Sequence, residues 1–211
     1  MSRNQVVVTF PTYREKYQKY VALGHVTVCK GPFKELSKPF LNGIGGALEK
    51  GETPEEAAWR EFKEEVVLHN GSTIPSELVR IGQVSVYFRE EDTPTLPESF
   101  WGNESREPDV ELHVFRMYLP KKMDFTPRGD PPEFESFAWY PLRNITYPGI
   151  GPNGAELLPS DRFWLPTFLT GKGERHAEIE INHQFQVHEF GIGEEYTSGR
   201  MWLSEQLEHP P

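Results

Sequence analysis

The chain has 211 residues, 36% hydrophobic and 13% aromatic, enough for a single domain with a substantial core. Its formal charge of −10 has the wrong sign for gripping a nucleic-acid polymer, which calls for a basic stripe. No apolar run reaches the ~18–20 residues that cross a bilayer, the start MSRNQVVVTF lacks a signal-peptide pattern, and the lone Cys29 permits no internal disulfide. The expectation is a cytoplasmic, monomeric protein without membrane or nucleic-acid partners.

In chain order, Gln5 to Phe10 reads as a first strand and Ala22 to Cys29 as a second, with Tyr13 to Tyr20 between them polar, aromatic and without clear period. Phe40 to Leu48 leads through a glycine-rich turn into a helix whose start is well marked. Thr53 is a natural N-cap, Pro54 suits the first helical position, and Glu56 completes a capping box. At about 100° per residue, Ala58, Trp59, Phe62 and Val66 share a face that should bury. Glu61, Glu64 and Glu65 fall on the opposite arc around Ala57, whose small side chain would leave room for an ion and a phosphate. Glu55 and Glu56 read as helix-start residues that suit the dipole.

Leu78 to Phe88 and Val110 to Leu119 have strand composition and should pair across a long, acidic, proline-containing connection, with 91–109 an exposed insertion. Phe137 to Leu142 is a further short strand, Asp161 to Leu169 a short aromatic helix, and His176 to Ile192 a closing hairpin. Strands interleaved with two helices predict an α/β fold with a mixed sheet between helical layers, one domain over 1–195, and a tail from 196 to 211.

The chemistry gathers between Gly46 and Leu68. Glu52 lies on a glycine-flanked loop, three further glutamates share a helix face, and Arg60 can pair with Glu64 four residues on. Clustered carboxylates are the oxygen ligands that Mg²⁺ or Mn²⁺ needs beside substrate phosphates, which points to metal-assisted attack on a phosphate anhydride. A merely solvated acidic helix is the plainer reading, and spacing argues against it. The pattern is Gly, five residues, Glu, seven residues, Arg-Glu-apolar-x-Glu-Glu, a coincidence on the order of 10⁻⁷ per register at ordinary residue abundances.

That pattern resembles the box of the Nudix hydrolases. From about Thr27 to Phe190 the chain is similar to their eukaryotic MutT-type branch, the oxidised-purine nucleoside triphosphatases that act on 8-oxo-dGTP. The likeness includes Asn42-Gly43-Ile44-Gly45-Gly46, Ile81-Gly82-Gln83-Val84, His113-Val114-Phe115, Trp139, and Asp161-Arg162-Phe163-Trp164-Leu165-Pro166. It implies an α/β/α sandwich and Mg²⁺-dependent cleavage (Mn²⁺ as an alternative) of a nucleoside triphosphate to the monophosphate and pyrophosphate. Glu61, Glu64 and Glu65 would be metal ligands with the Gly46 carbonyl, Glu65 or a neighbour would activate water, and Arg60 would orient the cluster with Glu52. A fourth acid would come from Glu133 or Glu135, for which ordinary surface acids are an equal alternative.

Two departures stand out. The box glycine is Val67, so the helix is expected to run about one more turn and stop at Asn70-Gly71. On the base side, Asn42 and Asp161 match purine-reading positions, but Ser160 replaces the first of two adjacent aspartates and Leu158 the stacking tryptophan. A lone Asp161 anion accepts from a guanine edge and leaves adenine unpaired, predicting preference for guanine-type bases. Phe33, Phe88 or Trp164 could then supply the stacking platform, although core packing is the commoner job for aromatics in runs such as those of Phe88 and Trp164.

Other signals are discounted. Gly149 to Gly154 satisfies GxGxxG but contains Pro152 and precedes no helical pattern; Gly171-Lys172-Gly173 lacks Walker spacing. The histidines have no zinc spacing, and His113 reads as a packed strand residue. Two rival functions remain: a Nudix hydrolase of another diphosphate (ADP-ribose, a dinucleotide or a cap-like compound) and a non-catalytic nucleotide-binding module. Loss of box carboxylates would mark the module, and none is lost.

Overall fold

The computed structural model describes residues 4–26, 40–69, 77–88, 107–145, 155–181 and 187–194. Strand β1 (Asn4–Glu15) is the axis of the molecule, buried from Val7 to Tyr13. It pairs in parallel with β7 (Val110–Leu119) along its length. Its other edge is shared: Val6 to Thr9 face β4 (Ile44–Ala47), and Thr12 to Glu15 face β2 (Gln18–Val26). Pro11 falls in the gap between these two ladders, where a residue without an N–H is tolerated.

The stretch Tyr13 to Tyr20, which has no clear period in sequence, is strand running into hairpin. Tyr13 and Tyr20 are cross-strand partners whose rings stack at 4.9 Å, and Lys16 takes the turn at φ +52°. Aromatic pairing across the strands overrides the missing period.

Beyond these lie β3 (Phe40–Asn42), β6 (Glu77–Phe88), β9 (Phe134–Pro141), β10 (Glu156–Leu157), β11 (Arg175–Ile181) and β12 (Val187–Glu194). The described sheet runs β10-β3-β2-β1-β7-β6-β11-β12, with β4 also on β1 and β9 also on β2. The predicted pairing of Leu78 to Phe88 with Val110 to Leu119 is present as antiparallel β6–β7, and the closing hairpin as β11–β12. The predicted strand from Phe137 begins earlier, at Phe134.

Alternation along β1 divides the core. Val8 and Phe10 pack with Val114, Trp164, Leu165 and Phe168 of α2 (Asp161–Thr170). Val7 packs on the other face with Phe115, Ala57 and Ala58 of α1 (Pro54–Glu65). The result is an α/β fold, a mixed sheet with helices on both faces. Arg116, buried between sheet and α2, donates to the carbonyls of Phe168 (3.0 Å) and Leu169 (2.5 Å), satisfying acceptors that a helix end leaves open.

Two expectations about α1 are corrected. Ala57 does not leave open space beside the glutamates: it is fully buried against Val7 and Phe115. And α1 gains no extra turn. It stops at Glu65; Val66 is extended (φ −127°, ψ 133°), and Val66–Leu68 form β5, paired antiparallel with β8 (Phe125–Pro127). Consecutive valines favour extended backbone, β8 supplies a partner, and Val66 buries against Phe62 and Met117. Asn70-Gly71 lies outside the described residues, as do Cys29, Phe33, the 149–154 glycine run and most of the 91–109 insertion.

Candidate active site

The glycine turn after β4 and the first turn of α1 bring the acidic groups to one corner. The capping box is formed: Thr53 Oγ1 accepts from the Glu56 amide (3.3 Å) and Glu56 Oε2 accepts from the Thr53 amide (2.9 Å). This fixes the helix start relative to the Glu49–Glu52 loop, in which the Glu52 amide donates to the Glu49 carbonyl at 3.1 Å.

Arg60 is the hub. Its Nε and Nη2 hold both Glu52 oxygens (2.9 and 3.0 Å), Nη2 also donates to the Ala47 carbonyl (2.9 Å), and Nη1 reaches Glu61 (2.8 Å) and Glu64 (3.2 Å). The pairing expected with Glu64 is therefore the weakest part of a larger clasp. A forked guanidinium satisfies a carboxylate bidentately, which is why arginine serves here and lysine would not. This clasp holds Glu52 below the usual carboxylate range and pushes Arg60 further up.

The three helix carboxylates sit in different environments. Glu61 is the deepest, its side chain 12% exposed and its carboxyl lying over Gly46. A Cβ on Gly46 would come within 2.3 Å of Glu61 Oε1, so only glycine leaves this place for the acid. Glu65 Oε2 accepts from the Gly45 amide at 3.2 Å. Glu64 stands at the rim, 58% exposed. Burial first, then the charges of Glu64 and Glu133, raise Glu61 above the ordinary carboxylate range against the pull of Arg60.

The two candidates for a fourth acid part company here. Glu133 lies near enough for its charge to act on Glu61, whereas Glu135 turns away to His25 Nδ1 at 2.9 Å.

Among the described residues no three histidine, cysteine, aspartate or glutamate side chains converge on one point, because Glu52, Glu61 and Glu64 are turned onto Arg60. The donors fit a hard divalent cation nonetheless: all are oxygens, and Glu61 is buried near like charges that a cation would relieve.

On the base side, parallel β3–β10 pairs Phe40 with Glu156 and Leu41 with Leu157, carrying Asn42 and Leu158 forward together from adjacent strands. Asn42 Oδ1 accepts from the Gly43 amide at 2.8 Å. Asp161, first residue of α2, is buried, with Ser160 Oγ donating to it at 3.2 Å and the Trp164 side chain also bonding to it. Burial outweighs both bonds and pushes its carboxyl up to about 7. The anion expected at Asp161 therefore sits in a site that solvates its charge poorly.

Core packing, the commoner job for Phe88 and Trp164, is the one both perform. Trp164 is 2% exposed and packs edge-on against Phe10 and Phe168, so it is core. Phe88 packs half-buried against the same core. Leu158 lies instead among Val26, Phe40, Phe134 and Phe137, with the last two rings 4.8 Å apart over Gly24. Sequence reasoning missed this aromatic pair because the β9 register shifts between His25 and Val26, defeating simple alternation. His113, 4% exposed, is a packed strand residue as expected, its imidazole held down in pKa by burial and Arg80.

With fold and site in place, the comparisons define the class. The NUDIX domain model matches residues 3–160, and the chain belongs to the Nudix family. It is a Nudix hydrolase, a class that uses divalent metal ions and binds small nucleotide substrates. No curated protein sequence matches it. Among solved structures it is similar to the mutator MutT protein of Bacillus halodurans (13% identity, TM-score 0.57, covering 90% of this chain and 97% of that one). It is also similar to the NUDIX domain of Shewanella oneidensis NrtR complexed with ADP ribose (12% identity, TM-score 0.50, covering 81% and 88%). At such identities these likenesses establish the fold. None of the described helices is long and apolar enough to cross a membrane.

Proposed function

We propose that this Nudix hydrolase is a Mg²⁺-dependent nucleoside triphosphate pyrophosphohydrolase that acts on oxidised purine nucleotides of the 8-oxo-dGTP type, releasing the monophosphate and pyrophosphate. The observation that carries this reading is the continuity between the two halves of the site. Asn42 stands four residues before Gly46, at most ~14 Å of chain, and the β3–β10 ladder sets Leu158, three residues before Asp161, beside it, which supports reading Asn42 and Asp161 as a base pocket next to the carboxylates around Arg60.

Glu61, Glu64 and Glu65, the Gly46 carbonyl and Glu133 would hold the metal, with Mn²⁺ as a substitute. When bound, the metal neutralises phosphate oxygens and lowers the pKa of a coordinated water. Arg60 and Glu52 position the cluster, and Glu65 or a neighbour accepts the proton of the attacking water. Phe137, which is only partly buried beside Leu158, would flank the base in place of the core residues Trp164 and Phe134. The reading is completed by one domain over 1–195 acting as a monomer on free nucleotides in the cytoplasm, consistent with the charge of −10.

Initial rates with Mg²⁺ on 8-oxo-dGTP, 2-oxo-dATP, dGTP, ADP-ribose and a dinucleoside polyphosphate test the assignment. Preference for 8-oxo-dGTP with pyrophosphate release is expected; preference for ADP-ribose or a dinucleotide would replace the substrate and keep the chemistry. Glu65→Gln should collapse turnover by orders of magnitude, and a variant as active as the parent would remove Glu65 from the machinery.

A further inference from the structure

We propose that Arg128 is a positioning residue of the active site, locking the loop that carries Glu133 onto the last turn of α1; the inference rests on the metal-dependent reading above. The β5–β8 ladder pairs Val66 with Pro127, Val67 with Thr126 and Leu68 with Phe125. Arg128 follows at once, and its backbone amide donates to the Glu65 carbonyl at 2.8 Å while Nη1 donates to the Lys63 carbonyl at 3.1 Å. Both acceptors belong to the last turn of α1, where helix carbonyls lack partners and a cation is favoured by the dipole.

The connection from Arg128 to Glu133 is short and constrained at both ends. Gly129 (φ +115°) bridges to Pro132, and Phe134, directly after Glu133, is 2% exposed. On the other side, Phe125 packs edge-on against Phe62 of α1 at 6.0 Å. One rigid unit therefore joins the turn bearing Glu61, Glu64 and Glu65 to the loop bearing Glu133, and Arg128 fastens it without touching a carboxylate. Val67, standing where the family has glycine, is part of this unit.

The test uses the full chain and Mn²⁺ alone, following the EPR signal of free Mn²⁺, with thermal unfolding alongside. Arg128→Ala should weaken Mn²⁺ binding about tenfold, the scale of outer-shell ligand support, and raise the half-saturating Mg²⁺ for hydrolysis with little change in kcat at saturating metal. Its unfolding midpoint should stay near the parent's, because the side chain is exposed. Arg128→Lys should recover part of the affinity. Val67→Gly, a return to the family residue, should weaken binding too, and combining it with Arg128→Ala should give less than the product of the two effects. Parental Mn²⁺ affinity in Arg128→Ala overturns the proposal, as does a loss that only tracks a lowered midpoint. If the parent binds Mn²⁺ no better than Glu61→Gln, the metal reading itself falls and takes this inference with it.

Discussion

Gly46 and Asp161 are the positions where one atom decides most. At Gly46 an added Cβ meets the end of the Glu61 side chain, which can swing aside, and not backbone. Gly46→Ala is therefore expected to displace the acid more than it destabilises the fold: Mn²⁺ affinity should fall while the unfolding midpoint moves little. Asp161 ties stability to pH. Its carboxyl is raised from 3.8 to about 7 on folding, so protonation favours the folded state. That contribution is complete below about 4 and is lost as pH rises through 7. Asp161→Asn, which cannot ionise, should stabilise the protein more at pH 8 than at pH 5 by thermal unfolding. The same titration bears on selectivity. A protonated Asp161 can donate as well as accept, so the 2-oxo-dATP to 8-oxo-dGTP rate ratio should rise as pH falls through 7 in the parent and lose that dependence in Asp161→Asn.

At the scale of elements, α1 is held by its caps as much as by its buried face. Thr53→Ala removes the acceptor for the Glu56 amide and should cost about 1 kcal/mol, read as a lower denaturant midpoint with unchanged slope. The helix start was legible because caps are local: Thr53, Pro54 and Glu56 need no neighbour to act. The helix end was not. Whether Val66 continues the helix or leaves it depends on Phe125–Pro127, some sixty residues away in sequence and close only after folding. Ala57 failed for the same reason, since a helical wheel separates faces but does not say which residues the sheet covers.

Across the whole molecule, the family match ends at residue 160, yet the sheet does not. Strand β11 extends β6 in parallel, placing Ala177, Ile179 and Ile181 in the core that α2 closes. A chain ending at Gly173 should therefore lose cooperative unfolding and aggregate, because it bares both the β6 edge and one side of that core; a soluble, cooperatively unfolding truncation would show the hairpin to be an ornament. The sequence by itself determined the class of chemistry, since the spacing of Glu52, Arg60, Glu61, Glu64 and Glu65 is set by helix geometry and one short loop. It also located the long strands β1, β2, β6, β7 and β9, the closing hairpin and the two helices, whose residue patterns are local, while the short strands β3, β4, β5, β8 and β10 went unread. Tertiary structure alone decided which way each acid turns, bringing Glu133 within electrostatic reach of Glu61 and Glu135 onto His25, and burial in the fold alone raised the pKa of Asp161. Those outcomes depend on burial and on the approach of distant strands, neither of which a linear pattern contains.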